Sequence, residues 1–178
     1  HEVYEHSANC LKEGTDSGDL IKRFKENFLN ELLELKEKGQ DLKKDLINDL
    51  KVQGEVLANL SLNALKEYFG EFEIVKAEED IYEEIIEYED KQYKFKGFID
   101  LVVKTPDDKI HIIDWKTCSW GWDARKRSDP MITYQLTFYK KYYAQKYNID
   151  PKKIETHFAL VKRTAKKERV EIFRVTSG

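Results

Sequence analysis

Apolar residues in this chain recur at a helical period before Gly70 and at a strand-like period after it. From Asp19 they are spaced by three and four residues, which predicts an amphipathic helix that ends at Gly39. Asp41 can cap a second helix, and Gly54 is expected to bend or interrupt it. Because helices precede strands in this order, the pattern favours an α/β fold with a mixed central sheet.

After Gly70 the chain is predicted to form strands, then one helix, then further strands. Pro130 can open that helix with Asp129 as its cap, and the helical pattern continues to about Tyr147. Pro106 marks a turn between two neighbouring strands. The extended stretches lie at residues 72–75, 81–86, 93–103, 109–116, 158–161 and 170–175.

The chain length of 178 residues suits one domain with a substantial core. We expect that domain to span residues 1–178, with a helical layer or insertion at 15–70 and the sheet with its helix at 71–178. No apolar run reaches the roughly 18 residues that span a bilayer, so no membrane association is expected. Cys10 and Cys118 are interpreted as free thiols of an intracellular protein.

The charge of the chain is divided unevenly between its two halves. Residues 1–90 carry 11 Lys/Arg and 24 Asp/Glu, whereas residues 91–178 carry 20 Lys/Arg and 10 Asp/Glu. A basic half points to a polyanionic partner such as nucleic acid. The alternative is that acidic helices merely solvate one side of the fold.

Two aspartates and a lysine end successive strand patterns. Asp114 follows an apolar run, and a charge there is costly unless it has a partner or a metal. Lys116 is two residues further on and projects from the same face, and Asp100 can reach them from the neighbouring hairpin strand. Two carboxylates suit a hard divalent cation. The carbonyl of Trp115, which lies between Asp114 and Lys116 in the chain, could be another oxygen ligand. Lys116 can stabilise the negative charge that develops when a phosphodiester is hydrolysed.

Gln135 and Tyr139 lie four residues apart, so they share one face of the predicted helix. Gln135 could bond a water or a phosphate, and Tyr139 could reach a phosphate oxygen. Helix periodicity alone leaves another interpretation open. In that reading the apolar stripe forms the core, and the two polar residues lie at its edge; the stripe is Tyr134, Phe138 and Tyr142.

Residues 117–130, between the strand that ends at Lys116 and the helix that Pro130 opens, combine basic residues with aromatic residues. Arg125, Lys126 and Arg127 follow Trp120 and Trp122 in a segment without periodicity, interpreted as a loop. Such a combination suits contacts with a strand of nucleic acid, and we expect Trp120 and the three basic residues to bind it. The alternative is that the tryptophans anchor the loop.

Three segments together resemble motifs of the PD-(D/E)xK nuclease superfamily, and most of all its RecB-type and phage exonuclease-like branch. They are Gly97-Phe98-Ile99-Asp100, Ile113-Asp114-Trp115-Lys116-Thr117 and Gln135-Leu136-Thr137-Phe138-Tyr139. Ile99 stands where the superfamily name has proline. The resemblance implies a restriction-endonuclease-like core and catalytic roles for Asp100, Asp114, Lys116, Gln135 and Tyr139.

His1 to Glu5 resembles the second half of the Gly-x-x-x-His motif of the same branch. The resemblance implies that His1 joins Asp100, Asp114 and Trp115 as a metal ligand, with Glu5 as a further candidate carboxylate. The alternative is that His1 is an ordinary terminal residue and Glu5 is solvated. Two cysteines cannot supply the four ligands of the iron–sulfur cluster that several relatives carry, so no cluster is expected.

The resemblance implies a Mg²⁺- or Mn²⁺-dependent deoxyribonuclease acting on single-stranded DNA or duplex ends. An exonuclease in recombination, repair or phage DNA processing is expected, with a recombination or repair protein as a partner. Its expected location is the cytoplasm of a bacterial or phage-infected cell. The alternative is a nucleic-acid-binding module of the same fold with weak or lost cleavage.

Overall fold

A computed structural model describes residues 1–176, except for the side chains of residues 86–88. Five strands form one sheet in the order β1-β2-β3-β4-β5. Only β3 and β4 run parallel, and the other neighbours are antiparallel. The sheet is therefore mixed, as the sequence predicts. The strands are β1 (Glu73–Tyr88), β2 (Lys91–Lys104), β3 (Ile110–Cys118), β4 (Ile154–Lys162) and β5 (Val170–Val175).

Helices cover both faces of this sheet and complete an α/β architecture. They are α1 (Glu2–Glu13), α2 (Leu20–Glu37), α3 (Lys44–Leu57), α4 (Ser61–Phe69), α5 (Ala124–Arg127) and α6 (Pro130–Tyr147). The crossover between the parallel strands β3 and β4 contains α5 and α6. Among the helices of residues 1–176, none has both the length and the apolarity that a membrane crossing requires.

Alternate residues of β3 face two separate cores. Ile113 and Trp115 pack with residues of α1, α3 and α4 on one face. Ile112 packs with buried side chains of α6 on the other face. Asp114 and Lys116 share the parity of Ile112, so the strand directs them towards the α6 side.

The second predicted helix is two helices, and the position of the break was predicted wrongly. Gly54 lies inside α3, and the chain breaks instead between Leu57 and Ser61. A Cβ at Gly54 would lie 1.9 Å from the ring of Phe24, so glycine allows α2 to pack closely against α3. Asp41 is not the cap, because α3 begins after Lys43 without a side-chain cap.

Two further element predictions require correction. The stretches 72–75 and 81–86, predicted as separate, fall in the single strand β1 from Glu73 onward, because a long hairpin with β2 keeps them paired. The predicted loop of residues 117–130 contains the short helix α5, whose cap Asp123 accepts a bond from Lys126 N. The start of α6 agrees with the prediction, since Asp129 accepts from Met131 N at 2.9 Å.

Candidate active site

The candidate site forms where β2 and β3 separate. Their pairing stops at Leu101–Ile113, and Asp100 and Asp114 occupy the next antiparallel step beyond it. Beyond this point a side-chain hydrogen bond connects the two strands, because Asp100 Oδ2 accepts the main-chain N–H of Trp115 at 2.8 Å. The end of the hairpin therefore brings two carboxylates to one point and holds one of them by a backbone bond.

Asp114 is a buried carboxylate with incomplete hydrogen bonding. Its residue is 3% exposed, and burial raises the pKa of its carboxyl while the ion pair with Lys116 opposes this. Lys116 Nζ lies 2.8 Å from Asp114 Oδ2 and forms an ion pair with it. Apart from this ion pair, Oδ2 has no hydrogen-bond partner within residues 1–176. Such an oxygen suits coordination by a cation.

Lys116, Gln135 and Tyr139 form one chain of contacts. Lys116 Nζ donates to Gln135 Oε1 at 3.1 Å, and Gln135 Nε2 donates to the Tyr139 hydroxyl at 3.0 Å. Tyr139 is 5% exposed, and burial raises the pKa of its phenol, with a further contribution from the charge of Asp114. The helix therefore fixes the glutamine, and the glutamine fixes the lysine beside Asp114.

The alternative prediction, a buried apolar stripe on α6, is only partly correct. Tyr142 is buried, but Tyr134 and Phe138 are exposed. The buried face of α6 consists of Leu136, Tyr139, Tyr142, Tyr143 and Ala144. Tyr139 therefore belongs to the core-facing side of the helix and is not at its edge.

Gly97 of the predicted Gly-x-Ile-Asp motif makes room for Tyr139. A Cβ at Gly97 would lie 2.8 Å from Cε1 of Tyr139 and 3.1 Å from Cε1 of Phe95. The absent side chain thus lets the ring of Tyr139 lie against β2. Two of the sequence motifs are linked by this packing contact.

The first turn of α1 lies beside the two aspartates. His1 Nδ1 is 3.4 Å from Asp100 Oδ1, and the bond with Asp100 raises the pKa of the imidazole. Its side chain remains 58% exposed. Tyr4 secures the helix, because its hydroxyl donates to Leu57 O at 2.8 Å and its ring packs edge-on against Trp115. His1 is thereby placed where an imidazole ligand could act together with Asp100.

Glu78 is a residue of this site that the sequence did not reveal. A cavity of about 280 Å³ is lined by His1, Glu5, Glu78 and Asp100, among other residues. Burial raises the pKa of Glu5, and its bond with Glu78 raises it further. Glu78 has a φ of 54°, which is unusual for a residue within a strand. In the sequence it is one acid in an acidic run, so only the fold distinguishes it.

The predicted nucleic-acid-binding residues have different environments. Trp120 is 79% exposed, and Arg125 and Lys126 are exposed on α5. Arg127 instead donates to Trp122 O at 2.9 Å and to Glu171 Oε1 at 2.7 Å. Its guanidinium is thus already engaged within the fold, whereas the other three side chains face solvent.

Trp122 anchors this segment, as the alternative interpretation of the tryptophans expects. Its ring packs against Phe158 with centroids 5.1 Å apart and lies below Lys126 Nζ at 4.9 Å. Trp120, by contrast, is exposed at the surface. The two tryptophans therefore differ in role.

The donor set of the site fits a hard divalent cation. Asp100 and Asp114 supply carboxylate oxygens, and His1 adds an imidazole. Among the described residues, Oδ2 of Asp114 has no hydrogen-bond partner besides its ion pair with Lys116. Oxygen-rich sets of this kind suit Mg²⁺ and Mn²⁺. The observed side chains thus agree with the metal chemistry that the motifs imply.

Comparison with known proteins identifies the family. A search of curated proteins found no match. A solved chain described as "Crystal structure of SSO0001" matches with 16% identity and a TM-score of 0.44, over 89% of this chain and 63% of that chain. This chain therefore spans less than two thirds of the length of that structure. The family model of the PD-(D/E)XK nuclease superfamily matches residues 1–176, so the chain belongs to the PD-(D/E)XK nuclease superfamily.

Proposed function

We propose that this chain is a Mg²⁺- or Mn²⁺-dependent deoxyribonuclease that hydrolyses phosphodiester bonds. Membership of a nuclease superfamily supports hydrolysis of nucleic acid. The observation that carries the proposal is the meeting of Asp100, Asp114 and Lys116 at the point where β2 and β3 part. An intact set of two acids and a lysine favours cleavage over binding alone.

Asp100, Asp114 and His1, together with the carbonyl of Trp115, are the groups that would hold the cation. A bound divalent cation would polarise the scissile phosphate and lower the pKa of a nearby water. Asp100 contributes through a carboxylate that is already oriented by the N–H of Trp115. Asp114 contributes a buried oxygen whose desolvation a cation would offset.

Lys116 supplies the fixed positive charge of the mechanism. Its ammonium lies between Asp114 and Gln135, at 2.8 and 3.1 Å. From there it can stabilise negative charge on the phosphate oxygens as the transition state forms. Tyr139 orients the amide of Gln135, and burial keeps its phenol protonated. These contacts preorganise the lysine before the substrate arrives.

DNA is the proposed substrate, as single strands or duplex ends. The basic second half of the chain and the exposed Trp120, Arg125 and Lys126 support a path for a phosphate backbone beside the site. Likeness of the motifs to RecB-type and phage exonucleases supports exonucleolytic action in recombination, repair or phage DNA processing. A repair partner and a cytoplasmic location are proposed on the same basis.

Cleavage of end-labelled linear DNA and of covalently closed circular DNA tests this proposal. We expect degradation of linear DNA in Mg²⁺ or Mn²⁺ and none in a chelator. Lys116→Ala should lower turnover by orders of magnitude while DNA binding and folding persist. Lys141→Ala is a matched control, since Lys141 lies exposed on α6.

Different results exclude different parts of the proposal. Cleavage of the closed circle would indicate an endonuclease. Metal-dependent DNA binding without cleavage by the wild type would instead support a binding module on the same fold. Near-wild-type cleavage by Lys116→Ala would refute the role assigned to Lys116.

A further inference from the structure

A second group of metal-ligating side chains lies outside the candidate active site. It consists of His111 on β3 with Glu155 and His157 on β4. One ligand atom from each residue lies within 4.8 Å of the others. His111 precedes Asp114 by three residues, which is about 10 Å along a strand, and the alternation of β3 directs it to the opposite face of the sheet. The active site therefore does not account for this cluster.

The parallel pairing of β3 and β4 creates the cluster. Glu155 is the register partner of His111, and His157 follows two residues later on the same face. Helix α4 covers them, with the ring of Phe69 centred 4.7 Å from His111 and 5.3 Å from His157. Both histidines are buried, so their positions are set by packing.

The two imidazoles direct one nitrogen each towards the other. His111 Nδ1 and His157 Nε2 are 3.0 Å apart, a hydrogen-bond distance, so without a metal one ring donates to the other. Zinc–nitrogen bonds of about 2.0–2.1 Å would span this separation with an angle of roughly 95° at the ion. Glu155 Oε2 lies 3.7 Å from His111 Nδ1. At similar bond lengths that separation corresponds to an angle of roughly 125°, and the two angles lie on either side of the tetrahedral value.

The outer nitrogens of both rings are held by hydroxyl groups. Thr105 Oγ1 lies 2.8 Å from His111 Nε2 and donates its own hydrogen to Asp107. The threonine must therefore accept the Nε2–H of a neutral His111, which leaves the lone pair of Nδ1 facing inward. The Tyr68 hydroxyl lies 3.2 Å from His157 Nδ1. Partners of this kind orient the histidine ligands of metal sites.

Glu155 divides its two oxygens between different partners. Oε1 lies 2.9 Å from Lys109 Nζ and 3.5 Å from Arg174 Nη1. Oε2 faces His111 instead. The two cations hold the carboxylate in place while one oxygen remains directed to the histidines. An adjoining cavity of about 470 Å³, lined by Tyr68, Thr105 and Asp107 among others, can admit a water as a fourth ligand.

We propose that His111, His157 and Glu155 bind one late first-row divalent cation, Zn²⁺ or an ion of the same class, at a site separate from the Asp100–Asp114 site. Two imidazoles and one carboxylate favour such ions over Mg²⁺, which prefers oxygen ligands. With Nδ1 of His111 unprotonated, the Nε2–H of His157 donates to it in the metal-free protein. Metal binding therefore requires that proton to move, so that His157 carries it on Nδ1, where the Tyr68 oxygen accepts it. The ion ties the beginning of β3 to the beginning of β4.

Zinc titration of the chelator-stripped chain tests this site. The background is Asp114→Asn with millimolar Mg²⁺ present, so that zinc binding at the active site is suppressed. We expect one equivalent of Zn²⁺ to bind by isothermal calorimetry and not to be displaced by Mg²⁺. Thr105→Val keeps the side-chain shape but removes the hydroxyl, and it should weaken zinc binding by about 10–100-fold. His111→Gln should weaken it further.

His6→Gln is the matched control, because it removes one of the four histidines of the chain from outside the cluster. Its zinc affinity should equal that of the background chain. Anomalous scattering from crystals of the unsubstituted chain soaked in Zn²⁺ provides a readout that does not depend on how the variants fold. An anomalous peak between His111 Nδ1 and His157 Nε2 supports the site. Saturating zinc without a peak there, or affinity unchanged by both Thr105→Val and His111→Gln, overturns it.

Discussion

At the point where β2 and β3 part, single residues also hold the neighbouring strand or helix in position. Asp100 replaces a ladder bond of the sheet and presents its other oxygen to His1. Gly97 has no side chain, and this absence determines where the ring of Tyr139 can lie. Asp100 and Gly97 therefore each help to set the position of another residue of the candidate site.

Replacing Gly97 by alanine should move Tyr139 and disorganise the site. The added Cβ would lie 2.8 Å from a buried ring, and overpacking of this kind costs roughly 1–3 kcal/mol. Urea denaturation should show this loss, and DNA cleavage should fall because Gln135 and Lys116 lose their support. Lys96→Ala changes an exposed neighbour and should do neither. Full stability and full activity of Gly97→Ala would contradict the packing role of this glycine.

Magnesium should stabilise the fold through the two aspartates. A cation that binds the folded state well above its dissociation constant contributes roughly 1–3 kcal/mol by linkage. The melting temperature of the wild type should therefore rise in millimolar Mg²⁺. Asp114→Asn should melt at or above the wild-type temperature without metal, since it removes a charge whose burial is unfavourable, and it should lose most of the rise. A full rise in this variant would show that Asp114 is not a ligand.

At the scale of secondary-structure elements, one buried carboxylate joins the β1–β2 hairpin to α6. Glu79 of β1 is 1% exposed and lies 2.6 Å from Lys146 Nζ, with Tyr147 and Lys76 also in contact. Burial alone would raise the pKa of Glu79, but the bonds from these three groups outweigh it and lower the pKa below its ordinary value. This cluster fixes the end of the helix that carries Gln135 and Tyr139.

Glu79→Gln should make the fold less sensitive to acid. Because the folded-state pKa is lowered, the ionised group contributes stability above its ordinary pKa of 4.5, and this contribution is lost as the pH falls through the lowered value. At neutral pH the variant should lose roughly 1–3 kcal/mol. In urea denaturation between pH 7 and pH 3, the free energy of unfolding of the variant should fall less than that of the wild type. Glu67→Gln, at an exposed position of α4, should leave the pH dependence of this free energy unchanged.

At the scale of the whole molecule, the sheet separates two chemically different regions. The carboxylates and Lys116 meet at the separation of β2 and β3, whereas His111 and His157 lie beneath α4. The acidic first half of the chain supplies α1 to α4, and the basic second half supplies α5, α6, β4 and β5. A polyanion is therefore expected to approach through surfaces of the second half.

The salt dependence of DNA binding should reveal which basic residues meet the backbone. Arg125→Ala with Lys126→Ala removes two exposed cations and should reduce the slope of log affinity against log salt by roughly 1.5. Arg127→Ala should instead lower stability, because Arg127 is paired with Glu171 and lies over the ring of Phe173. An unchanged slope in the double variant would show that α5 faces away from DNA.

The sequence alone predicted the parts of this protein that depend on short-range patterns. Strand alternation and a short turn placed Asp100 near Asp114, and helical spacing placed Gln135 and Tyr139 on one face; the structure contains both arrangements. These relations are local, because residue spacing within an element or a tight hairpin determines them. Motif spacing likewise indicated the superfamily that the family model identifies.

Only the tertiary structure decided which distant groups meet. Glu5 and Glu78 share a cavity, Arg127 pairs with Glu171, and His111 meets His157 across a parallel pairing that needs a long crossover. No local pattern marks these residues, since each pair is separated by 44 residues or more. Their positions follow from strand register and from the packing of helices on the two faces of the sheet, which depend on the whole chain folding at once.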